Sequence, residues 1–265
     1  MRITVLGKSP SWQDAGGACS GYLVEDGETC VLVDCGSGVL AELRRVRDYL
    51  EVDGVVISHM HADHFLDLLP FSCALTYAPR QQPVPVDGWP GIYPPIRPQL
   101  LLPPDGGTTL RTVSRASGHE KQIIERAFRA CEYDPAEPTE IGSLHMRFQP
   151  VPHYIPTNAI ELTSTTGPGR FTFGADHGPT DALCGFADGT DLLMLEATLP
   201  RPERAGVRGH MTPGEAGEHA TRVAAKRLVL THISDEMDYD WAQDEARRTY
   251  AGPVDLAVTG AVYTV

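Results

Sequence analysis

Basic charge is what this sequence has least of. Against 35 aspartates and glutamates stand 22 lysines and arginines, a formal net charge of −13 with histidines neutral. Such a balance repels polyanions at long range and disfavours binding to nucleic-acid polymers. Lysine is nearly missing: beyond Lys8, Lys121 and Lys226 every basic side chain is arginine, a bias with no functional weight. No apolar stretch approaches the ~20 residues that span a bilayer, so no membrane association is expected. The six cysteines, Cys19, Cys30, Cys35, Cys73, Cys131 and Cys184, form no C-x-x-C pair. Several lie in apolar runs such as TCVLVDC and read as buried reduced thiols. The segment MRITVLGKSP has one short apolar run ended by glycine, so it reads as a first strand and not as a secretion signal. The expectation is a cytoplasmic protein, without internal repeats or a low-complexity tail.

What is present suits one substantial core. At 265 residues and 42% hydrophobic content, the chain is expected to form a single domain over 1–265. Strands are predicted at 2–6, 21–25 and 29–34, and an amphipathic helix at 39–50, where Val39, Leu43, Val46 and Leu50 recur at helical spacing. GVVIS at 54–58 is continuously apolar and β-branched, as for a strand buried on both faces. Residues 78–104 hold nine prolines, which predicts an irregular excursion: a surface loop, a lid or a subunit contact. A charged helix is predicted at 119–131 and strands at 144–150, 159–164 and 170–174. Helices at 180–187, 213–225 and 242–250 then alternate with strands at 191–196, 227–231 and 254–258, an α/β second half.

The chemistry concentrates in His59-Met60-His61-Ala62-Asp63-His64, four donor side chains in six residues just after a buried strand. Imidazole and carboxylate are good zinc ligands, and a tight turn aims alternate side chains at two metal positions. Four ligands from one loop leave two ions unsatisfied, which demands donors elsewhere. His153 ends LHMRFQPVPH, Asp176 ends RFTFGAD and His232 ends KRLVLTH; each is the first strong ligand after an apolar run, and strand ends on one edge of a sandwich converge.

This pattern resembles the metallo-β-lactamase superfamily, over nearly the whole chain. The resemblance implies an α/β fold, the αββα sandwich of two mixed sheets flanked by helices, with a dinuclear site at one edge. It implies that His59, His61 and His153 hold a first metal and Asp63, His64 and His232 a second. Asp176 and a hydroxide would bridge them. The expected cofactors are two zinc ions, with manganese or iron possible. A solvent shared by two such ions is ionised near neutral pH and serves as nucleophile, which Asp63 could orient or deprotonate.

Glu196 in LLMLEATLP and His210 in RGHMTPGEAGEHA resemble the Glu and His motifs of the ribonuclease Z and small phosphodiesterase branch. That implies a general acid, His210, oriented by Glu196. Thr212-Pro213-Gly214-Glu215 is a capping box with proline at the first helical position, so a helix should begin just behind His210. Ribonuclease Z carries a tRNA-clamping arm between the positions of His153 and Asp176, where only 22 residues lie here. tRNA processing is therefore not expected, and the layout is similar to the arm-less atypical class II cyclic-nucleotide phosphodiesterases. The bridging motif reads Gly174-Ala175-Asp176-His177 where Gly-Asp-Thr is usual, which makes His177 either a substrate contact or an exposed residue. His119, His145 and His219 fall outside any ligand pattern.

The expected function is hydrolysis of a small phosphodiester such as a cyclic nucleotide. The alternative is hydrolysis of a carbonyl substrate, a lactone, thioester or β-lactam, at the same site. A di-iron oxidoreductase is a remote alternative, since its motif H-x-E-x-D-H has glutamate where His61 stands; a metal-binding protein without turnover is another. A small-molecule substrate is the expected partner, and the resemblance adds a homodimer.

Overall fold

The computed structural model describes residues 1–81, 87–88, 91–203 and 205–265. The chain opens as an antiparallel meander of β1 (Arg2–Gly7), β2 (Gly21–Asp26) and β3 (Thr29–Val33), then continues with parallel strands β4 (Gly54–Val56), β5 (Gln99–Leu102) and β6 (Arg129–Glu132). Every residue of β3 and β4 is buried, as their unbroken apolar sequences require of strands covered on both faces. The second sheet repeats the layout. β7 (Thr139–Ile141), β8 (Leu144–Val151), β9 (Thr157–Ser164) and β10 (Arg170–Phe173) are antiparallel, and β11 (Leu192–Glu196), β12 (Leu228–Thr231) and β13 (Val254–Leu256) extend the sheet in parallel. The last strand, β14 (Val262–Thr264), returns to pair with β1. Both sheets are mixed and each has seven strands among the described residues.

Strand periodicity divides the side chains between layers. Leu192 and Met194 face the core between the sheets, together with Val24, Val33, Val56, Phe171 and Val229. Leu193 and Leu195 face outward onto α6 (Pro213–Arg222) and α7 (Tyr239–Arg247), which approach through Ala216, Ala220, Ala242 and Ala246. The first sheet is covered by α1 (Val39–Val46), α2 (Ala62–Phe65), α3 (Leu68–Tyr77), α4 (Gly106–Ala116) and α5 (Ile123–Ala127), through Leu43, Phe65, Phe71, Leu110 and Ile124. The result is the expected αββα sandwich. Tyr22 ties the sheets together: its ring lies 4.9 Å from that of Phe173 and its hydroxyl 2.7 Å from Thr231 Oγ1.

Several local expectations are corrected. The helix at 39–50 stops at Val46, because Arg47 is extended and the Asp48 side chain caps a separate 3₁₀ turn at Tyr49–Glu51. The helix at 119–131 is replaced by α4 before it, the short α5 within it, and β6, which pairs with β5. Gly118, at φ 76°, follows the end of α4. Residues 180–187 form turns, with Gly185 at φ 82°, instead of a helix. Within the proline-rich 78–104, the proline-free Gln99–Leu102 is a central strand; 82–86 and 89–90 lie outside the described residues, so the lid or subunit-contact expectation falls partly there. All six cysteines are free thiols. Among the described residues no helix is long and apolar enough to cross a membrane.

Candidate metal centre

Six strand ends open at one edge of the sandwich, and each delivers a polar side chain there. β3 leads to Asp34, β4 to Ser58 and His59, β8 to His153, β10 to Asp176, β11 ends on Glu196, and β12 leads to His232. Ala175 and His232 are in the left-handed region, at φ 56° and 51°. Non-glycine residues there are uncommon, and such strain collects where a site demands it.

Three donor clusters form among the described residues, two that share a residue and one of Glu196, His210 and His232. His59, His61, His153 and Asp176 present ligand atoms within 4.8 Å of one another, and so do Asp63, His64, Asp176 and His232. Asp176 belongs to both. In the first cluster His61 Nδ1 lies 3.1 Å from His59 Nε2 and 3.1 Å from His153 Nε2, close to the roughly 3.3 Å that separates two nitrogens around a tetrahedral ion with 2.0–2.1 Å bonds. In the second, His64 Nε2 stands 3.4 Å from Asp63 and 3.4 Å from Asp176, and His232 Nε2 stands 3.1 Å and 3.3 Å from the same carboxylates.

The hydrogen-bond partners of the rings suit clusters that hold cations. His64 donates from Nδ1 to Asp34 at 2.7 Å, His153 from Nδ1 to the Gly209 carbonyl at 2.6 Å, and His232 from Nδ1 to Thr198 Oγ1 at 2.8 Å. The hydroxyl of Thr198 in turn donates to Glu196 at 2.6 Å. Each ring thus spends its N–H outward and turns a lone pair inward. At His64 and His232 that lone pair faces two carboxylates, which is repulsive unless a positive charge sits between them. His64 Nε2 is buried and has no hydrogen-bond partner, as a ligand atom would be.

The titration directions separate the two clusters that share Asp176. Burial holds His59, His61 and His153 below the usual imidazole range, in the neutral form that binds metal. Burial opposes charging of His64 as well, yet Asp176 and Asp34 hold it well above that range. Asp63 and Asp176 stay ionised despite burial because histidines surround them. The donor set fits divalent metal ions.

Glu196 and His210 adjoin this centre. The Glu196 carboxylate, almost fully buried, accepts from the backbone N–H of His177 at 2.8 Å, from His210 Nδ1 at 2.9 Å, from Thr198 Oγ1 and from the Met211 N–H at 3.2 Å. The His210 ring stacks beside His232 at 5.6 Å and stands edge-on to His153 at 5.0 Å. Burial works against protonation of His210, but Glu196 outweighs it and raises the imidazole to about 9. The helix expected behind His210 is α6, and its capping box forms: Thr212 Oγ1 accepts from the Glu215 N–H and Glu215 accepts from the Thr212 N–H.

His177 departs from its expected place. Its ring has no exposed surface, donates from Nδ1 to the Gly178 carbonyl at 2.7 Å and lies against His219. What it offers the site is the main-chain N–H that holds Glu196. His219 is buried and bonded within the fold, His145 pairs with Glu140, and His119 joins neither cluster.

Sequence reasoning missed Asp34, Ser58 and Thr198. Asp34 is fully buried and accepts from the Ser58 N–H and Oγ, both at 2.8 Å, as well as from His64. It is the first polar residue after the apolar run VLV, the same signal that marked Asp176.

Residues 29–233 match the family model described as beta-lactamase superfamily domain. The chain belongs to the metallo-β-lactamase superfamily. Probable metallo-hydrolase YhfI of Bacillus subtilis is 28% identical over 99% of this chain and 99% of its own. The YhfI crystal structure matches with TM-score 0.83 at 25% identity, covering 99% of this chain and 98% of that one. Ribonuclease Z of Myxococcus xanthus is 28% identical over 98% of this chain and 96% of its own. A diphosphatase from the PhnP family shares the fold, with TM-score 0.72 at 20% identity over 100% of this chain and 97% of that one. As a member of this superfamily the chain is a metallo-hydrolase with ribonuclease Z among its relatives.

Proposed function

We propose that this metallo-hydrolase is a two-metal phosphodiesterase acting on a small phosphodiester, with cyclic nucleotides as first candidates and residues 1–265 working as one domain. The observation that carries the reading is His210, an imidazole fixed by Glu196 at 2.9 Å beside two donor clusters that share Asp176. In the proposed assignment His59, His61 and His153 serve one ion, Asp63, His64 and His232 the other, and Asp176 both. Two divalent cations, zinc first with manganese or iron as substitutes, would supply Lewis acidity toward a phosphoryl oxygen and lower the pKa of coordinated water.

The protein's own groups do the rest. Asp63 turns Oδ2 to His232 and keeps Oδ1 to orient the attacking water. Because His210 gives its Nδ1–H to Glu196, its Nε2–H remains for the leaving oxygen, and a positioned acid of this kind contributes roughly 10²–10⁴-fold. Glu196 cannot swing away, since backbone N–H groups of His177 and Met211 pin it. A small substrate is favoured over tRNA because the chain between His153 and Asp176 is used up by β9 and β10, leaving no arm on a strongly acidic protein. Relatives named as a ribonuclease and a diphosphatase both act on P–O bonds, which supports this reading over the carbonyl one.

Zinc- and manganese-loaded protein should be screened against bis(p-nitrophenyl) phosphate, cyclic nucleotides, lactones and acyl thioesters. Phosphodiester turnover that depends on His210 is expected. Turnover confined to lactones or thioesters would replace this reading with carbonyl hydrolysis, and iron with oxygen-dependent activity would replace it with redox chemistry.

A further inference from the structure

A cavity of about 310 Å³ is lined in part by chain neighbours of the first donor cluster, and the chemistry above does not use it. Three of its wall residues are tied by the chain to that cluster. Met60 sits between His59 and His61, and Ile155 and Pro156 follow His153 by two and three residues. The opposite wall is the turn from β5 into α4, with Pro103 and Pro104. A thioether, a branched alkyl and three proline rings make these walls apolar.

Two polar side chains complete the lining, the Asp105 carboxylate and the Thr109 hydroxyl. Asp105 is held in the left-handed region at φ 63°, its N–H bonded to Glu132 Oε2 at 3.1 Å. Although it stands at the start of α4, its side chain does not cap the helix, and it is exposed with no hydrogen bond among the described residues. Its neighbour Gly106 shapes the floor: a Cβ there would come within 3.2 Å of Met60 Sδ and 3.1 Å of Pro103 Cδ. The turn thus lets Met60 lie close while it turns Asp105 to the rim.

Ligand pockets range upward from roughly 300 Å³ and combine apolar walls with a few placed polar groups, so this one suits a single ring system. Its carboxylate rejects an anion and accepts from N–H or O–H, and methionine sulfur packs well on ring edges. We propose that the cavity is a binding subsite for an uncharged heteroaromatic ring bearing an exocyclic amine, an aminated nucleobase attached to the phosphodiester. The ring lies between Met60 and the prolines, with its amine donating to Asp105. This inference rests on the phosphodiesterase reading only for the attachment; the ring site itself rests on the cavity.

Adenosine and purine riboside differ only in the exocyclic amine, and both can be titrated calorimetrically into zinc-loaded protein. Adenosine should bind about tenfold tighter, and Asp105→Ala should abolish that preference, because the amine gains a hydrogen bond to a charged group. Thr109→Phe, which fills the cavity from α4, should weaken both ligands about tenfold and raise KM for adenosine 3′,5′-cyclic phosphate more than KM for the same cyclic phosphate without a base. Binding unchanged in both variants overturns the proposal, and Asp105→Ala, at an exposed position, decides the matter if Thr109→Phe fails to fold. Phosphodiester turnover indifferent to either change removes the subsite and leaves the phosphodiesterase. Adenosine binding that both variants weaken, in a protein that cleaves no phosphodiester, removes the phosphodiesterase and leaves the subsite.

Discussion

Asp34 Oδ2 accepts the Nδ1 proton of His64 at 2.7 Å, and neither side chain has any exposed surface. The bond fixes the ring so that Nε2 faces Asp63 and Asp176. Partners of this kind typically account for 10- to 100-fold in metal affinity. Asp34→Asn keeps the shape but offers a weaker acceptor, so zinc affinity should fall by roughly that factor. Competition against a chromophoric chelator measures it; an affinity equal to wild type would remove Asp34 from the centre.

Asp176 stands in both donor clusters, so its loss should strike both. Asp176→Asn leaves one neutral oxygen where two positive centres are proposed to share a carboxylate. The variant should retain at most one zinc per chain under conditions that load two into wild type. Elemental analysis after gel filtration reads the stoichiometry, and two ions retained in the variant would contradict a shared ligand.

The Glu196–His210 pair predicts a dependence on the leaving group. An alkoxide needs a proton as it departs, whereas p-nitrophenolate leaves unaided. His210→Ala should therefore slow cyclic-nucleotide hydrolysis by roughly 10²–10⁴ and cleavage of bis(p-nitrophenyl) phosphate far less. Equal losses on both substrates would point to binding or positioning instead of proton donation.

The strands and the donors at their ends were legible from apolar runs, and the sandwich from the family resemblance that those donors carry. Runs such as GVVIS and RLVLT could only be buried strands, and the first donor beyond each lies at the same edge. Asp34 obeyed the same rule, but a lone aspartate in a loop has too many ordinary uses to stand out without the His64 ring beside it. α4 was missed because it opens on Gly106 and Gly107, poor helix formers that tertiary packing overrides. His177 was misplaced because adjacency to Asp176 in sequence says nothing about the side on which a ring lies, and the inner side was already occupied by Glu196, bonded to its own N–H.

Far from the metal edge, Asp26 pins the two sheets together, and its charge predicts how stability falls with acid. Its Oδ2 accepts from Ser143 Oγ at 2.7 Å and from Ser164 Oγ at 2.8 Å, both on the second sheet's side, while the amino terminus lies 4.0 Å from Oδ1. Burial alone would raise this carboxyl, but the serine hydroxyls and the amino terminus outweigh it and lower the pKa below the usual aspartate value. A lowered folded-state value means that the unfolded chain binds the proton more tightly. The stabilisation is therefore complete above about pH 4, the unfolded aspartate value, and is lost as pH falls from there through the folded value. Asp26→Asn should cost about 2 kcal/mol at pH 7, as expected for hydrogen bonds to a charged group, and that deficit should shrink below about pH 4, where wild type loses the same charge. Metal release in acid weakens both proteins alike, so it cancels in the difference. Urea unfolding of the pair across pH 3 to 7 tests the sign, and a deficit that stays constant or grows toward acid would show that Asp26 stabilises through shape and not through its charge.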